Sequence, residues 1–230
     1  MDLSNARILV TGGSRGIGKE TARQLREHKA QVVISGRDAG VLESAARELD
    51  CDFVQGDVGN ADDAARMVAG TIDVLGGYDV LVNNAAIGSF APLVDADPAD
   101  VERVWRVNVL GAFLVAQASA RHFVEHGGGT IVNVGSTAAR KGFAGGTAYA
   151  SSKFALSAFT ECWRDELRKH DVRVMQVNPS AVQTEFSGSQ PDHNDTRLQS
   201  SDIAETIVAM LAMPDRGFVT ETTIWATNPR

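Results

Sequence analysis

Thiols are scarce in this chain of 230 residues: Cys51 and Cys162 are the only two. They match no metal-ligand spacing, and a chain of this length buries enough apolar surface to fold without a bridge. Both are expected as reduced thiols. Long apolar runs are missing too, since no stretch approaches the ~20 residues that cross a bilayer. The opening Met1-Asp2-Leu3-Ser4-Asn5 has no basic segment followed by an apolar one, which is how a secretory signal reads. Positive charge is in deficit: 22 Lys and Arg face 29 Asp and Glu, a formal net charge of −7. That balance gives no electrostatic reason to expect nucleic acid or an anionic membrane as a partner. No linker or low-complexity block divides the chain. One cytoplasmic domain spanning 1–230 is the expectation.

What the chain does have is alternation. Short apolar runs (Ile8–Val10, Val32–Ser35, Phe53-Val54, Val80–Val82, Thr130–Val134, Val172–Val177, Phe218–Trp225) are separated by helical patterns near 16–28, 39–49, 61–75, 98–125, 148–169 and 202–212. Near-continuous Val/Ile/Leu runs mark strands buried on both faces, and helices between them imply right-handed βαβ crossovers. The expected architecture is an α/β doubly wound parallel sheet of the Rossmann type, in three layers. Such sheets bind ligands beyond the carboxyl ends of their strands, so the residues that follow each run carry the functional signal.

The first run opens into Thr11-Gly-Gly-Ser-Arg-Gly-Ile-Gly18, between a strand and a helix. Backbone N–H groups and the positive end of a helix meet an anion in such a turn. Gly12, Gly16 and Gly18 permit positive φ and close approach of a pyrophosphate. The second run ends at Gly36 and Arg37, where an NAD-selective site places an acidic residue for the ribose 2′-hydroxyl. Arg37 and Arg15 together offer two guanidinium groups that suit a 2′-phosphate, which favours NADP(H) over NAD(H). Asp38 reads as a helix N-cap. After the third and fourth runs come Gly56-Asp57-Val58 and Asn83-Asn84-Ala85-Ala86, small and amide residues that suit a close adenosine and are equally ordinary turn chemistry.

The helix starting at Asp97-Pro98 has an N-cap carboxylate and proline at its first position. Its apolar stripe runs through Val101, Val104/Trp105, Ala112, Val115 and Ala116, with Asn108 on the same face. A buried amide must be hydrogen-bonded, so Asn108 is either a structural plug or part of a site. At the far end, His122-Phe-Val-Glu125-His126 matches a zinc-peptidase pattern, but the helix stops at Gly127–Gly129 with no third ligand in view, and no metal is expected. The fifth run ends at Gly135-Ser136, and thirteen residues on stand Tyr149 and Lys153, one helical turn apart. Positions i and i+4 share a face. A nearby ammonium is expected to favour the phenolate and lower the tyrosine pKa from about 10, making Tyr149 usable as acid or base.

In their joint order these pieces resemble the short-chain dehydrogenase/reductase family, in its compact single-domain, 3-oxoacyl reductase-like branch. The matching stretches are Thr11–Gly18, Asp57, Asn83-Asn84-Ala85, Asn108, Ser136, Tyr149-x-x-x-Lys153, Asn178-Pro179 and Thr184, and they cover essentially the whole chain. The resemblance implies hydride transfer between a nicotinamide and a carbonyl or secondary-alcohol carbon. It makes Tyr149 the general acid/base, has Ser136 hydrogen-bond the substrate oxygen, has Lys153 hold the nicotinamide ribose, and has Asn108 organise a proton-resupplying water chain. It implies cofactor contacts at Thr11, Gly12, Ser14, Arg15, Gly16, Ile17, Gly18, Arg37, Asp57, Val58, Asn84, Ala85, Ala86, Tyr149, Lys153, Pro179, Val182 and Thr184. It also implies a homodimer or homotetramer built partly on the helices at 98–125 and 148–169.

This chain departs from the family pattern at Ala86 and Ser180, where glycine is usual. The substrate-lid segment 185–200 is short and polar, with only Phe186 and Leu198 as sizeable apolar residues. The leading expectation is an NADP(H)-dependent carbonyl reductase or alcohol dehydrogenase acting on a small molecule. A 3-oxoacyl-thioester reductase is a narrower version of it, disfavoured by Glu125-His126 where an acidic carrier would need a basic patch. Arg140 and Lys141 read as a solvated loop or as an attractor for an acidic substrate. An NADP-binding sensor with little turnover is the alternative from another class, set against the presence of Asn108, Ser136, Tyr149 and Lys153 together. An epimerase of the longer branch needs more chain after Pro179 than the roughly fifty residues present.

Overall fold

The computed structural model describes residues 1–184, 186, 194 and 196–227. Seven strands form one sheet: β1 (Arg7–Thr11), β2 (Gln31–Gly36), β3 (Asp52–Gln55), β4 (Val80–Asn83), β5 (Gly129–Val134), β6 (Val172–Pro179) and β7 (Glu221–Ile224). Their spatial order is β3-β2-β1-β4-β5-β6-β7, and every neighbouring pair is parallel. The chain thus winds outward from β1 in both directions. The switch point falls between β1 and β4, where ligands enter such sheets.

The apolar runs are continuous because both sheet faces are covered. Ile8, Val10, Ile34, Val82, Val132 and Val177 point to one side, into a core with α1 (Gly16–Glu27), α2 (Ala39–Leu49) and α7 (Ser200–Ala212). Leu9, Val33, Leu81, Ile131 and Val174 point to the other, against α3 (Ala61–Leu75), α5 (Ala112–Glu125) and α6 (Thr147–Leu167). Each fully buried Leu or Ile contributes about 1.5–3 kcal/mol relative to exposure. The doubly wound expectation therefore holds in both topology and facing.

Two elements differ from the expectation. The stretch 98–125 is not one α-helix: α4 (Pro98–Trp105) runs into a π-helical turn at Arg106–Gly111 before α5 resumes. Such a turn accommodates an additional residue within a helix, and Asn108 sits inside it. Trp105, placed on the apolar stripe by periodicity, is 40% exposed and donates from Nε1 to Ser151 Oγ at 3.0 Å. The last strand is also shorter than its apolar run, starting at Glu221 rather than Phe218.

Segment 185–200 is anchored at its base. Val182 and Leu198 form an isolated parallel bridge, and Gln183 exchanges side-chain hydrogen bonds with the Asn194 backbone at 2.5 and 2.9 Å. Residues 185, 187–193 and 195 of that lid lie outside the described residues.

Candidate active site

β1 ends in a buried threonine whose hydroxyl ties two strand ends together. Thr11 Oγ1 accepts hydrogen bonds from the backbone N–H groups of Asn84 and Ala85, both at 3.0 Å. Asn84 Nδ2 returns hydrogen bonds to the carbonyls of Thr11 (2.9 Å) and Gly12 (3.2 Å). The glycine turn and the end of β4 are therefore one unit. Gly12 and Gly16 adopt φ of +64° and +51°, a region that strongly favours glycine. A Cβ on Gly18 would lie 2.3 Å from the Gly12 carbonyl oxygen and 2.4 Å from Asn84 Nδ2, so only glycine lets α1 enter this close. Ser14 and Ile17 are half-buried in the same turn.

Helix α1 starts differently from α2, α3 and α4. The carboxylate or amide of Asp38, Asn60 or Asp97 caps each of α2, α3 and α4. In α1 the N-cap is Arg15, which makes no capping hydrogen bond, and no acidic residue occupies the first turn. The positive end of α1 thus has no counter-charge of its own in that turn. Asp38 accepts from Val41 N at 3.0 Å, as expected of an N-cap.

These elements open into a cleft of about 940 Å³ along the carboxyl edge of the sheet. Gly12, Arg15, Gly16, Ile17 and Arg37 line one end, and Asn84, Ala85 and Ala86 the middle. Ser136, Tyr149 and Lys153 line it further along, and Pro179, Val182 and Thr184 line it too, with Thr184 beside Gly16. Five cations reach this cleft (Arg15, Arg37, Arg140, Lys141 and Lys153), and no carboxylate lines it among the described residues. Asp57 and Val58 stand apart from it. The Asp57 carboxylate accepts from Gly59 N at 2.9 Å and lies 3.9 Å from Arg106, and Val58 is buried against Gly111.

Ser136 is buried at the end of β5 and begins a short 3₁₀ turn, Thr137–Ala139. Its Oγ accepts from Ala138 N at 3.1 Å, which leaves the hydroxyl hydrogen to donate. Its own N–H donates to Asn178 Oδ1 at 3.2 Å. Burial raises the Tyr149 phenol above its usual pKa, and a side-chain hydrogen bond with Ser136 pulls the other way. Lys153 lies beneath, 3% exposed, with Nζ 5.7 Å from the Tyr149 ring centroid and donating to the Val134 carbonyl at 2.8 Å. Burial lowers its pKa to about 8. The expectation that Lys153 depresses the tyrosine pKa is thus corrected. Desolvation disfavours charge on both groups.

Asn108 is fully engaged. Its Oδ1 accepts from Ile87 N at 2.8 Å, and its Nδ2 donates to Ile87 O at 2.9 Å and Ser152 Oγ at 3.0 Å. The amide on an apolar stripe therefore clamps the loop after β4 to α6, which carries Tyr149. Of the two departures, Ser180 donates its N–H to Ile224 O at 2.9 Å, tying the end of β6 to β7.

His122 and His126 stack at 4.0 Å on α5, with His126 Nδ1 against the His122 carbonyl. Among the described residues no group of three His, Cys, Asp or Glu side chains is placed to hold a metal.

Sequence reasoning missed four contributors. Gln176 and Glu221 complete the network around Asn178, and a strand-borne polar residue gives no periodic signal of its own. Phe90 and Phe143 line the cleft from loops, where apolar residues lack any pattern to interpret.

Comparison with known proteins bears on the family of the chain. Carbonyl reductase [NADPH] 2 of Sus scrofa is 36% identical over 82% of this chain and 77% of its own. An alcohol dehydrogenase from Thermococcus sibiricus, complexed with 5-hydroxy-NADP, superposes with a TM-score of 0.90 at 27% identity over 97% of each chain. The 3-ketoacyl-(acyl-carrier-protein) reductase of Brucella melitensis, complexed with NADH, also gives 0.90 at 27% identity over 98% of each. The family described as short chain dehydrogenase matches residues 6–195. That match runs from the start of β1 past Thr184, and with it the chain belongs to the short-chain dehydrogenases, a family of oxidoreductases.

Proposed function

We propose that this chain is an NADP(H)-dependent oxidoreductase that interconverts a carbonyl and a secondary alcohol, with Tyr149 as general acid/base. The observation that carries the reading is one continuous cleft. It joins a glycine turn at the uncapped end of α1 to Ser136, Tyr149 and Lys153.

The residues fit a dinucleotide. Gly12 and Gly18 let the turn pack tightly against Asn84 and Ala85, where a Cβ would collide, and the turn lies at the N-terminal end of α1, which suits a pyrophosphate. Arg15 and Arg37 line the adenosine end, and Asp38, the nearest carboxylate in sequence, is committed to α2. Two guanidinium groups line this end, where an NAD-selective site places a carboxylate for the 2′-hydroxyl, and that favours NADP(H) over NAD(H). Asn84, Ala85, Ala86, Pro179, Val182 and Thr184 flank the middle of that path. The cofactor supplies or removes the hydride.

The chain's own residues handle the oxygen and its proton. The Tyr149 hydroxyl gives its proton to the developing alkoxide in reduction and recovers it in oxidation. Ser136, whose Oγ accepts from Ala138 N and whose hydroxyl pairs with Tyr149, hydrogen-bonds the same oxygen. Lys153 holds the ribose and, when charged, stabilises the phenolate that follows proton loss. A raised tyrosine pKa keeps the acid form loaded for reduction. Asn108 keeps the loop after β4 and α6 in register, and we assign the water chain that reloads Tyr149 to its neighbourhood.

The test is to titrate NADPH into the protein and then follow nicotinamide absorbance with a panel of ketones and aldehydes. Tight binding with oxidation by at least one carbonyl is expected. Binding without oxidation by any of them would favour a sensor and overturn the enzymatic reading.

A further inference from the structure

Phenylalanine rings from three separate segments gather at the Tyr149 end of the cleft, two of them against Tyr149 itself, and the roles assigned above use none of them. Phe90 comes from the loop after β4, Phe143 from the loop before α6, and Phe186 from the segment after β6. The Phe90 and Phe186 rings lie 5.6 and 5.5 Å from the Tyr149 ring, tilted by 59° and 64°. Phe143 stands 6.1 Å from Phe90. All three line the cleft and are 47%, 51% and 41% exposed. Exposed aromatic surface gathered in a concave wall marks a place where a ligand belongs.

The arrangement is built into the backbone. A Cβ on Gly88 would lie 2.8 Å from the Phe90 ring and 2.9 Å from the Phe186 ring, and one on Gly146 would lie 2.6 Å from the Phe143 ring. Two glycines thus make room for the rings to fold back toward Tyr149. The Ala91 N–H donates to the Gly145 carbonyl at 2.9 Å, which ties the Phe90 loop to the Phe143 loop. Tilted and edge-to-face contacts are the arrangements aromatic rings prefer with one another, and they contribute beyond the area buried. A saturated ring of the same size gains the burial alone.

We infer that the substrate of this site is an aryl carbonyl compound, or the matching aryl carbinol, whose ring sits among Phe90, Phe143 and Phe186 while its oxygen meets Ser136 and Tyr149. The inference rests on the reductase reading for its chemistry and on the aromatic wall for its specificity, and the two separate experimentally. Acetophenone and cyclohexyl methyl ketone differ only in ring aromaticity. Their kcat/KM values with NADPH are compared in the wild type and in Phe90→Leu and Phe143→Leu. Because each comparison is a ratio of two ketones on one protein, a general loss of folding or cofactor binding cancels. The acetophenone-to-cyclohexyl ratio is expected to fall at least fivefold in both variants. An unchanged ratio overturns the inference. In parallel, each ketone is titrated into the wild type with NADP⁺, a mixture that cannot turn over, and binding is followed by ligand-observed NMR. Tighter binding of acetophenone with no turnover of either ketone would support the aromatic site and refute the reductase reading. Equal binding of the two refutes the aromatic site whatever the turnover.

Discussion

Glu221, on the outermost strand, accepts a 2.6 Å hydrogen bond from Asn178 Nδ2, while Asn178 Oδ1 accepts from Ser136 N and from Gln176 Nε2. The same carboxylate forms an ion pair with Arg140, just past Ser136 in the chain. One residue on β7 thus braces Ser136 from both sides. A Cβ on Gly135 would lie 2.1 Å from Asn178 Oδ1, so the approach of Asn178 is itself dictated by a glycine. Glu221→Ala removes the acceptor and the ion pair. It is expected to cost about 1 kcal/mol of stability and to lower kcat/KM severalfold, while Glu221→Gln recovers part of both. Thermal melts beside steady-state kinetics would check this, and unchanged kinetics in Glu221→Ala would remove the bracing role.

Tyr149→Phe keeps the ring, its neighbours and its bulk. NADPH affinity is expected to stay within about twofold, while turnover falls by the 10²–10⁴ that a positioned proton donor contributes. Equal losses in binding and turnover would show that Tyr149 acts through packing instead.

Arg37→Ala separates the two nicotinamide cofactors. A charge-assisted hydrogen bond to a phosphate is worth about 1.5–3 kcal/mol, so NADPH should bind at least tenfold more weakly, with NADH little changed. Dissociation constants for both cofactors decide it. An unaltered preference would refute the 2′-phosphate assignment.

Lys153 carries a pH signature. Burial takes its pKa from 10.5 to about 8. Below pH 8 the ammonium is buried and charged in the fold, at a cost of ~3 kcal/mol. Between pH 8 and 10.5 the unfolded chain holds this proton more tightly than the folded one, so stability rises with pH across that window. Under the proposed function activity runs the opposite way, since the charge that role gives Lys153 at the ribose would be lost above pH 8. Carbonyl reduction should therefore decline above about pH 8, where this group alone would raise the melting temperature. Lys153→Met should flatten that rise in stability and melt at or above the wild type at pH 7, with turnover largely lost. A Lys153→Met protein that melts well below the wild type would contradict the buried charge as a cost.

Much of this molecule was legible from residue patterns. The runs at Ile8–Val10 and Val172–Val177 lie within β1 and β6 because strands buried on both faces have no polar side to interrupt them. The cap at Asp97-Pro98 started α4 where capping chemistry said it should. The π turn at 106–111 was not legible, because its additional residue leaves the apolar stripe through Val104, Asn108, Ala112 and Val115 almost intact. The direction of the Tyr149 shift was missed for a related reason. Spacing reveals that an ammonium is near, whereas burial, which decides the sign here, is set by loops distant in sequence.

The five cations around the cleft sit in a chain whose net charge is −7. The acidic excess of the chain repels anions on average, while the cations lining the cleft, Arg140 paired with Glu221 among them, attract anions locally. Field lines concentrated at such a low-dielectric opening act as a funnel. A dinucleotide carrying several negative charges would therefore be captured quickly at low ionic strength and more slowly as salt screens beyond ~10 Å. The charge distribution then governs how fast the protein fills, separately from how tightly it holds.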